Sequence, residues 1–145
     1  MGQRRRAREC ALQMLFQMDV AGGTPEEIFG QFWTDQVAPP DLRSFAEDLV
    51  KGVARERLFL DNVVASSAEN WRIERMAVVD RNVLRMAVYE MVFDPEVPPI
   101  VAIDEAIEVA RKFGSEESGA FINGILDAVR KRIEGGEIAP GAEGR

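Results

Sequence analysis

Apolar residues recur at spacings of three and four along almost the whole chain, and nowhere does a clean apolar–polar alternation run long enough for a strand. That periodicity restricts the fold to an all-helical one. The first helix is predicted over Arg4–Val20. At about 100° per residue, Ala7, Ala11, Met14, Leu15 and Met18 form one apolar stripe. Leu12 and Phe16 widen its flank, where Arg5 and Arg8 also fall. Gly22-Gly23 ends the helix, and Thr24-Pro25-Glu26-Glu27 opens the next with a capping box and a proline suited to the first turn.

Ile28, Phe29, Phe32 and Trp33 supply the buried face of the second helix, and Pro39-Pro40 breaks the chain after it. Asp41 is expected to cap a third helix carrying Leu42, Phe45, Ala46, Leu49, Val50 and Val53. Its stripe shifts near Gly52–Glu56, so a break is expected there before a fourth helix with Leu58, Phe59, Leu60, Val63 and Val64. Ser66, Ser67 and Asn70 mark a looser connection. Residues 74–93 are apolar on two faces, which predicts a central helix. Asp94-Pro95 stops it, and Pro98-Pro99 starts another that ends at Gly114, a residue suited to a left-handed helix stop. Ser115 is expected to cap the last helix, with Ile122, Ile125, Leu126, Val129 and Ile133 facing inward. About seven helices result, in one domain over 1–134 with subdomains near 1–70 and 71–134. The Gly-, Ala- and Glu-rich segment 135–145 reads as a disordered tail.

Charge is segregated along this helical chain. Arg4, Arg5, Arg6 and Arg8 crowd the start, opposed only by Glu9, while the net charge of all 145 residues is −7. Positive charge at a helix N-terminus opposes the macrodipole by a few tenths of a kcal/mol per residue. The cluster is therefore not there to stabilise its helix. Two readings remain: a grip on an external polyanion, or a frayed, solvated end. Arginine suits RNA because its planar fork takes phosphate bidentately and stacks on unpaired bases.

Ala11–Met18 is amphipathic and interrupted by Gln13 and Gln17, unlike a signal-peptide core. Glu9 and Asp19 argue against a mitochondrial presequence, and no apolar run is long enough to span a membrane, so a cytoplasmic location is expected. One cysteine, Cys10, and no histidine exclude an internal disulfide, a Cys/His zinc site and histidine catalysis. No glycine-rich phosphate loop occurs, and the carboxylates sit at polar helix positions. Asp104, Glu105 and Glu108 read as a solvated face, with Glu108–Lys112 as an i,i+4 pair. No catalytic residue, metal ligand or cofactor is assigned.

The segment Gly114–Asp127 is the second unusual feature. Phe121 falls at the edge of the buried stripe, flanked by Glu117 and Gly124. It either packs on a neighbouring helix or offers a ring for a base to stack on. Gly124 inside a helix costs about 1 kcal/mol relative to alanine, which implies a close helix approach or a partner contact.

These residues carry a resemblance. RRRARECALQMLFQMD (Arg4–Asp19), VDRNVLRMAVYEM (Val79–Met91) and PPIVAIDEAIEVARKFGSEESGAFINGILD (Pro98–Asp127) resemble the bacterial transcription antitermination factor NusB family over nearly the whole chain. The resemblance implies two packed three-helix-type bundles and a non-enzymatic RNA-binding role. Its expected partners are boxA-type single-stranded RNA of ribosomal RNA leaders, the small-subunit ribosomal protein NusE, and the antitermination complex on RNA polymerase. It implies RNA contacts at Arg4, Arg5, Arg6, Arg8, Glu117, Ser118 and Phe121. It implies NusE contacts at Phe16, Asp80 and Arg81.

Asp80 also reads as a helix N-cap, and both readings stand. Ala120 occupies a position where many family members have lysine, and only Met-Gly-Gln precedes Arg4. Both departures imply weaker RNA binding alone and more reliance on the protein partner. Some family members are dimers, and the wide apolar face of the first helix suits a homodimer that would mask the arginines. The alternative reading is the NusB-like domain of a ribosomal RNA cytosine methyltransferase.

Overall fold

The expected helices form because each buries an apolar stripe and meets a recognisable stop. The computed structural model describes residues 2–69 and 71–139. Its order is α1 (Gly2–Ala21), α2 (Pro25–Phe32), α3 (Pro40–Arg55), α4 (Arg57–Ser67), α5 (Val78–Phe93), α6 (Pro99–Phe113) and α7 (Ser118–Glu134). One 3₁₀ turn, Ile73–Arg75, leads into α5. No strand occurs among the described residues.

The capping box at α2 forms as its residues require. The Glu27 amide donates to Thr24 Oγ1 at 3.2 Å, and the Thr24 amide donates to Glu27 Oε1 at 2.9 Å. The break after α3 falls at Glu56, between Arg55 and Arg57. Gly52 lies where a Cβ would collide with the Tyr89 ring, so α3 and α5 approach closely at this point.

Five local expectations are corrected. Pro39, not Asp41, occupies the N-cap of α3, with Asp41 inside the first turn. Helix α5 starts at Val78 after Ala77, so Asp80 is no N-cap. Gly114 has φ −100°, not the left-handed value; a Cβ there would collide with Ser118. Helix α7 begins at Ser118 with Glu117 before it, and Ser115 does not cap it. The expected tail is folded at its start. Amides of Glu137 and Ile138 donate to the Arg132 carbonyl at 2.9 and 3.3 Å, and Ile138 is buried in the core. The remainder of that expected tail, 140–145, and Asn70 lie outside the described residues.

Helices α1, α2 and α3 pack on one another, as do α4, α5, α6 and α7. Helix α5 also lies against α1 and α3, so one apolar core runs through both groups. Val83, Leu84, Val88 and Met91 of α5 are buried in it with Leu12, Met14, Leu60 and Leu126. Each such side chain contributes about 1.5–3 kcal/mol by leaving water. No helix among the described residues is long and apolar enough to cross a membrane.

Candidate nucleic-acid interface

Helix α1 presents its four arginines on successive faces of its first two turns, and the bundle treats each differently. Arg5 lies half-exposed and forks onto Glu105 of α6, with Nε–Oε1 and Nη2–Oε2 both 2.9 Å. That hydrogen bond holds the Glu105 carboxyl below its ordinary value, against the opposing effect of burial. Arg4 is exposed, its guanidinium 4.3 Å from the centre of the Phe45 ring. Arg6 is exposed and donates to the Val37 carbonyl at 2.7 Å.

Arg8 is only 5% exposed. It forks onto Glu90 of α5, with Nε–Oε1 3.0 Å and Nη2–Oε2 2.9 Å. Burial pushes the Glu90 carboxyl up, and the Arg8 guanidinium pulls it back. The expected RNA contact at Arg8 is therefore corrected: its donors point into the protein, because Glu90 is also buried and needs a cation. Glu105 likewise leaves the solvated face it was assigned to. Lys112 pairs with Glu9 of α1 at 3.0 Å, and Glu108 pairs instead with Arg111 at 3.3 Å.

The second half of the expected site sits around the first turn of α7. Glu117 is exposed and accepts from Ser115 Oγ at 3.2 Å. Ser118 is 1% exposed, with its hydroxyl donated to Asp80 Oδ1 at 2.7 Å. Phe121 is partly buried, as the packing reading expected. One side packs on the core, and its ring meets the Trp71 ring edge-on, centroids 5.3 Å apart and planes at 74°. Trp71 is 50% exposed. It was missed because it lies in a polar connection outside any apolar stripe; an aromatic there, with no core to join, was the available signal. A Cβ on Gly124 would meet nothing within 4 Å, so no close helix approach explains this glycine.

Helix α6 joins the two halves. Its Glu105 holds Arg5 and its Lys112 holds Glu9, so α1 and α6 run side by side in the same direction. From Glu105 to Lys112 is about 10 Å along the helix. Arg111 then lies against Gly119 of α7, 3.4 Å from the position of a Cβ there. Arg5, Lys112 and Arg111 thus follow one another along α6, while the Phe121–Trp71 pair joins α7 to the connection between α4 and α5. Among the described residues, no hydrogen bond or ring contact joins the α1 arginines directly to Glu117, Ser118 or Phe121.

The positions expected to meet a protein partner divide in the same way. Phe16 is 39% exposed and, with Leu12, Gln13, Val79 and Phe113, lines an open apolar groove of about 300 Å³. Asp80, 8% exposed, is taken by Ser118. Arg81 forks onto Asp19 at 2.8 and 2.9 Å. Asp19 also accepts from Asn82 at 2.9 Å and Arg85 at 3.0 Å. Burial alone would raise the Asp19 carboxyl, and these bonds hold it far below the carboxylate range instead. The apolar stripe of α1 that suited a homodimer is buried within the chain; Phe16 and Val20 remain exposed at its end. No cluster of metal-ligating side chains occurs among the described residues.

Fold and surface together define an all-helical bundle that displays exposed arginines, a half-exposed aromatic pair and an apolar groove. The NusB family model matches residues 5–131, and the chain belongs to the NusB family. It is 46% identical to the transcription antitermination protein NusB of Desulforapulum autotrophicum over 142 residues, covering 94% of this chain and 99% of that one. It is 49% identical to the protein of the same name from Geobacter sulfurreducens, covering 92% and 97%. These names describe a transcription factor and no catalytic activity. Among solved structures, that of T. maritima NusB superimposes with a TM-score of 0.82 at 37% identity, covering 88% of this chain and 90% of that one. A chain from a crystal structure of antitermination factors NusB and NusE in complex with double-stranded RNA does so at 0.82 and 28%, covering 90% and 98%.

Proposed function

We propose that this chain is a non-enzymatic RNA-binding antitermination factor. It takes boxA-type single-stranded RNA of ribosomal RNA leaders together with NusE and joins the antitermination complex on RNA polymerase in the cytoplasm. The observation that carries this reading is that Arg4 and Arg6 are exposed and hold a ring face and a carbonyl, on a bundle that also displays the half-exposed Phe121–Trp71 pair. Arg4, Arg5 and Arg6 supply donors for phosphates, with Arg111 and Lys112 continuing the positive track. The attachments of Arg4 to Phe45, Arg6 to Val37 and Arg111 to Glu108 are solvated and exchangeable, because exposed pairs are worth about 0–1 kcal/mol, while the fork of Arg5 onto part-buried Glu105 is firmer.

The aromatic pair favours unpaired bases, whose faces are free to stack. Glu117 borders the pair and limits how closely a phosphate approaches, which leaves a base edge as its partner. The groove at Phe16, Val79 and Phe113 supplies the NusE surface, and the acidic remainder of the chain attracts a basic ribosomal protein.

The test is a titration of boxA-type single-stranded RNA and of a duplex of the same sequence, with and without NusE, at two salt concentrations. Single strands bind more tightly, NusE increases that affinity, and affinity falls as salt rises. Equal binding of duplex and single strand, or no gain with NusE, overturns the reading.

A further inference from the structure

Asp80 and Ser118 were both expected at binding surfaces, yet each is buried and each faces the other. We infer that they are positioning residues: Asp80, through Ser118, sets the first turn of α7 and so the placement of Glu117 and Phe121. The inference rests on the RNA-binding reading above.

Asp80 is the third residue of α5, the most buried helix of the bundle. A carboxylate at that position commonly turns back to its own helix start. Here Ala77 offers no side-chain cap, and Asp80 Oδ1 accepts the Ser118 hydroxyl at 2.7 Å. With its proton committed to Asp80, the Ser118 oxygen accepts the Ser115 amide at 2.9 Å. One hydroxyl thereby closes the short link between α6 and α7.

Among the described residues, Asp80 is the side chain of another helix that anchors this turn. Helix α7 has no side-chain cap and no acidic residue in its first turn. Asp80 also adds to the negative charge that Glu117, at the N-cap, brings to the N-terminus of α7. Gly114 completes the arrangement, since a Cβ there would lie 2.8 Å from the Ala110 carbonyl and 2.9 Å from Ser118 Cβ. The link lies tight against Ser118 only because that side chain is absent. Glu117 directly precedes Ser118, and the Phe121 amide donates to the Glu117 carbonyl at 3.1 Å. A shift of Ser118 therefore moves both residues, and with Phe121 its edge contact to Trp71.

The bond also explains how a protein bound at the groove reaches the RNA surface. Val79 lines the groove and is followed by Asp80; Phe113 lines it and is followed by the α6–α7 link. Both groove walls thus continue into the two ends of the Asp80–Ser118 bond.

The test uses the full chain and a short boxA-type single-stranded RNA. Asp80→Ala and Ser118→Ala are each expected to weaken binding about fivefold to tenfold. The double substitution is expected to add nothing further, because both remove one bond. Asp80→Asn keeps an acceptor oxygen and is expected to retain most of the affinity. A second readout needs no RNA. In a Trp33→Phe chain, Trp71 is the single indole, and its emission is expected to shift to the red with Asp80→Ala but not with Asp80→Asn.

Unchanged affinity in both alanine variants, with only a lower melting temperature, overturns the inference. Additive losses in the double variant also overturn it, since they show that each side chain touches RNA itself. If the unsubstituted chain binds no RNA, the functional reading fails, and Trp71 emission alone decides whether Asp80 sets the turn.

Discussion

The two ends of α1 are both clamped by arginine–carboxylate pairs, but in opposite senses. At its start, α1 supplies the arginines and the bundle supplies Glu90 and Glu105. At its end, α1 supplies Asp19 and α5 supplies Arg81 and Arg85. The second clamp is closed: Arg85 continues to Asp61 at 2.6 Å and to Asn82 at 3.0 Å. The first has surplus cation. Glu90 takes Arg8 and Glu105 takes Arg5, while among the described residues Arg4 and Arg6 hold a ring face and a carbonyl and no carboxylate. A matched network stabilises or specifies a fold; an unmatched one retains donors for a ligand. The arginine-rich end of α1 is thus partly architecture and partly surface, and burial separates the two.

The largest expected effect comes from breaking the buried member of the first clamp. Arg8→Ala strands the Glu90 carboxylate and should cost about 3–5 kcal/mol in chemical denaturation. Replacing both as Arg8→Met with Glu90→Leu should recover most of that loss and leave RNA affinity intact. If the double replacement abolishes RNA binding in a folded chain, Arg8 is a contact after all.

Next comes Asp19→Asn, which removes charge from the closed clamp and should cost about 2–3 kcal/mol near neutral pH. The pH dependence separates the clamps further. The folded-state carboxyl of Asp19 lies below its ordinary 3.8, so its contribution is complete above that value and is lost as pH falls below it. Burial places Glu90 on the opposite side of its ordinary 4.5. Its uptake of a proton on acidification favours the folded chain. Acid titration monitored by circular dichroism should therefore show a shallower loss in Asp19→Asn and a steeper one in Glu90→Gln.

Trp71→Ala tests the surface beyond the surplus arginines. It should reduce single-stranded RNA affinity by about 1–3 kcal/mol, the worth of one base stacked on an aromatic ring. The melting temperature should move little, because half of the side chain is exposed. A large drop in stability with unchanged affinity would return Trp71 to the core.

The smallest effect is expected from Glu105→Gln, which releases Arg5. Melting should barely change, and RNA affinity should rise about twofold to fivefold as a competing carboxylate disappears. Arg5→Ala in turn should lower the salt slope of binding by about one counterion.

Much of this bundle is written in local spacing. The helices around Ala11, Leu49, Leu84, Ile103 and Leu126, the Thr24 capping box and the break at Glu56 follow from periodicity and cap chemistry, which act over a few residues. The two-faced pattern of residues 84–93 placed α5 at the centre for the same reason. The Arg cluster and Phe121 stood out because charge at a dipole's wrong end and a ring at a stripe's edge are local anomalies.

The partition of those arginines was not local. Arg8 and Glu90 are separated by 82 residues, and Arg5 and Glu105 by 100. Which of two neighbouring guanidiniums is buried depends on how α1 rests on α5 and α6. The same holds for Asp80 and Ser118, whose polar character reads as surface until a carboxylate and a hydroxyl from distant helices satisfy each other in the interior. The sequence by itself determined that this chain is helical, where its helices stop and that its start is cationic, because those are properties of neighbouring residues. Only the tertiary structure decided which polar groups are internal partners and which remain for a ligand, because burial and pairing depend on residues that meet only when the helices pack.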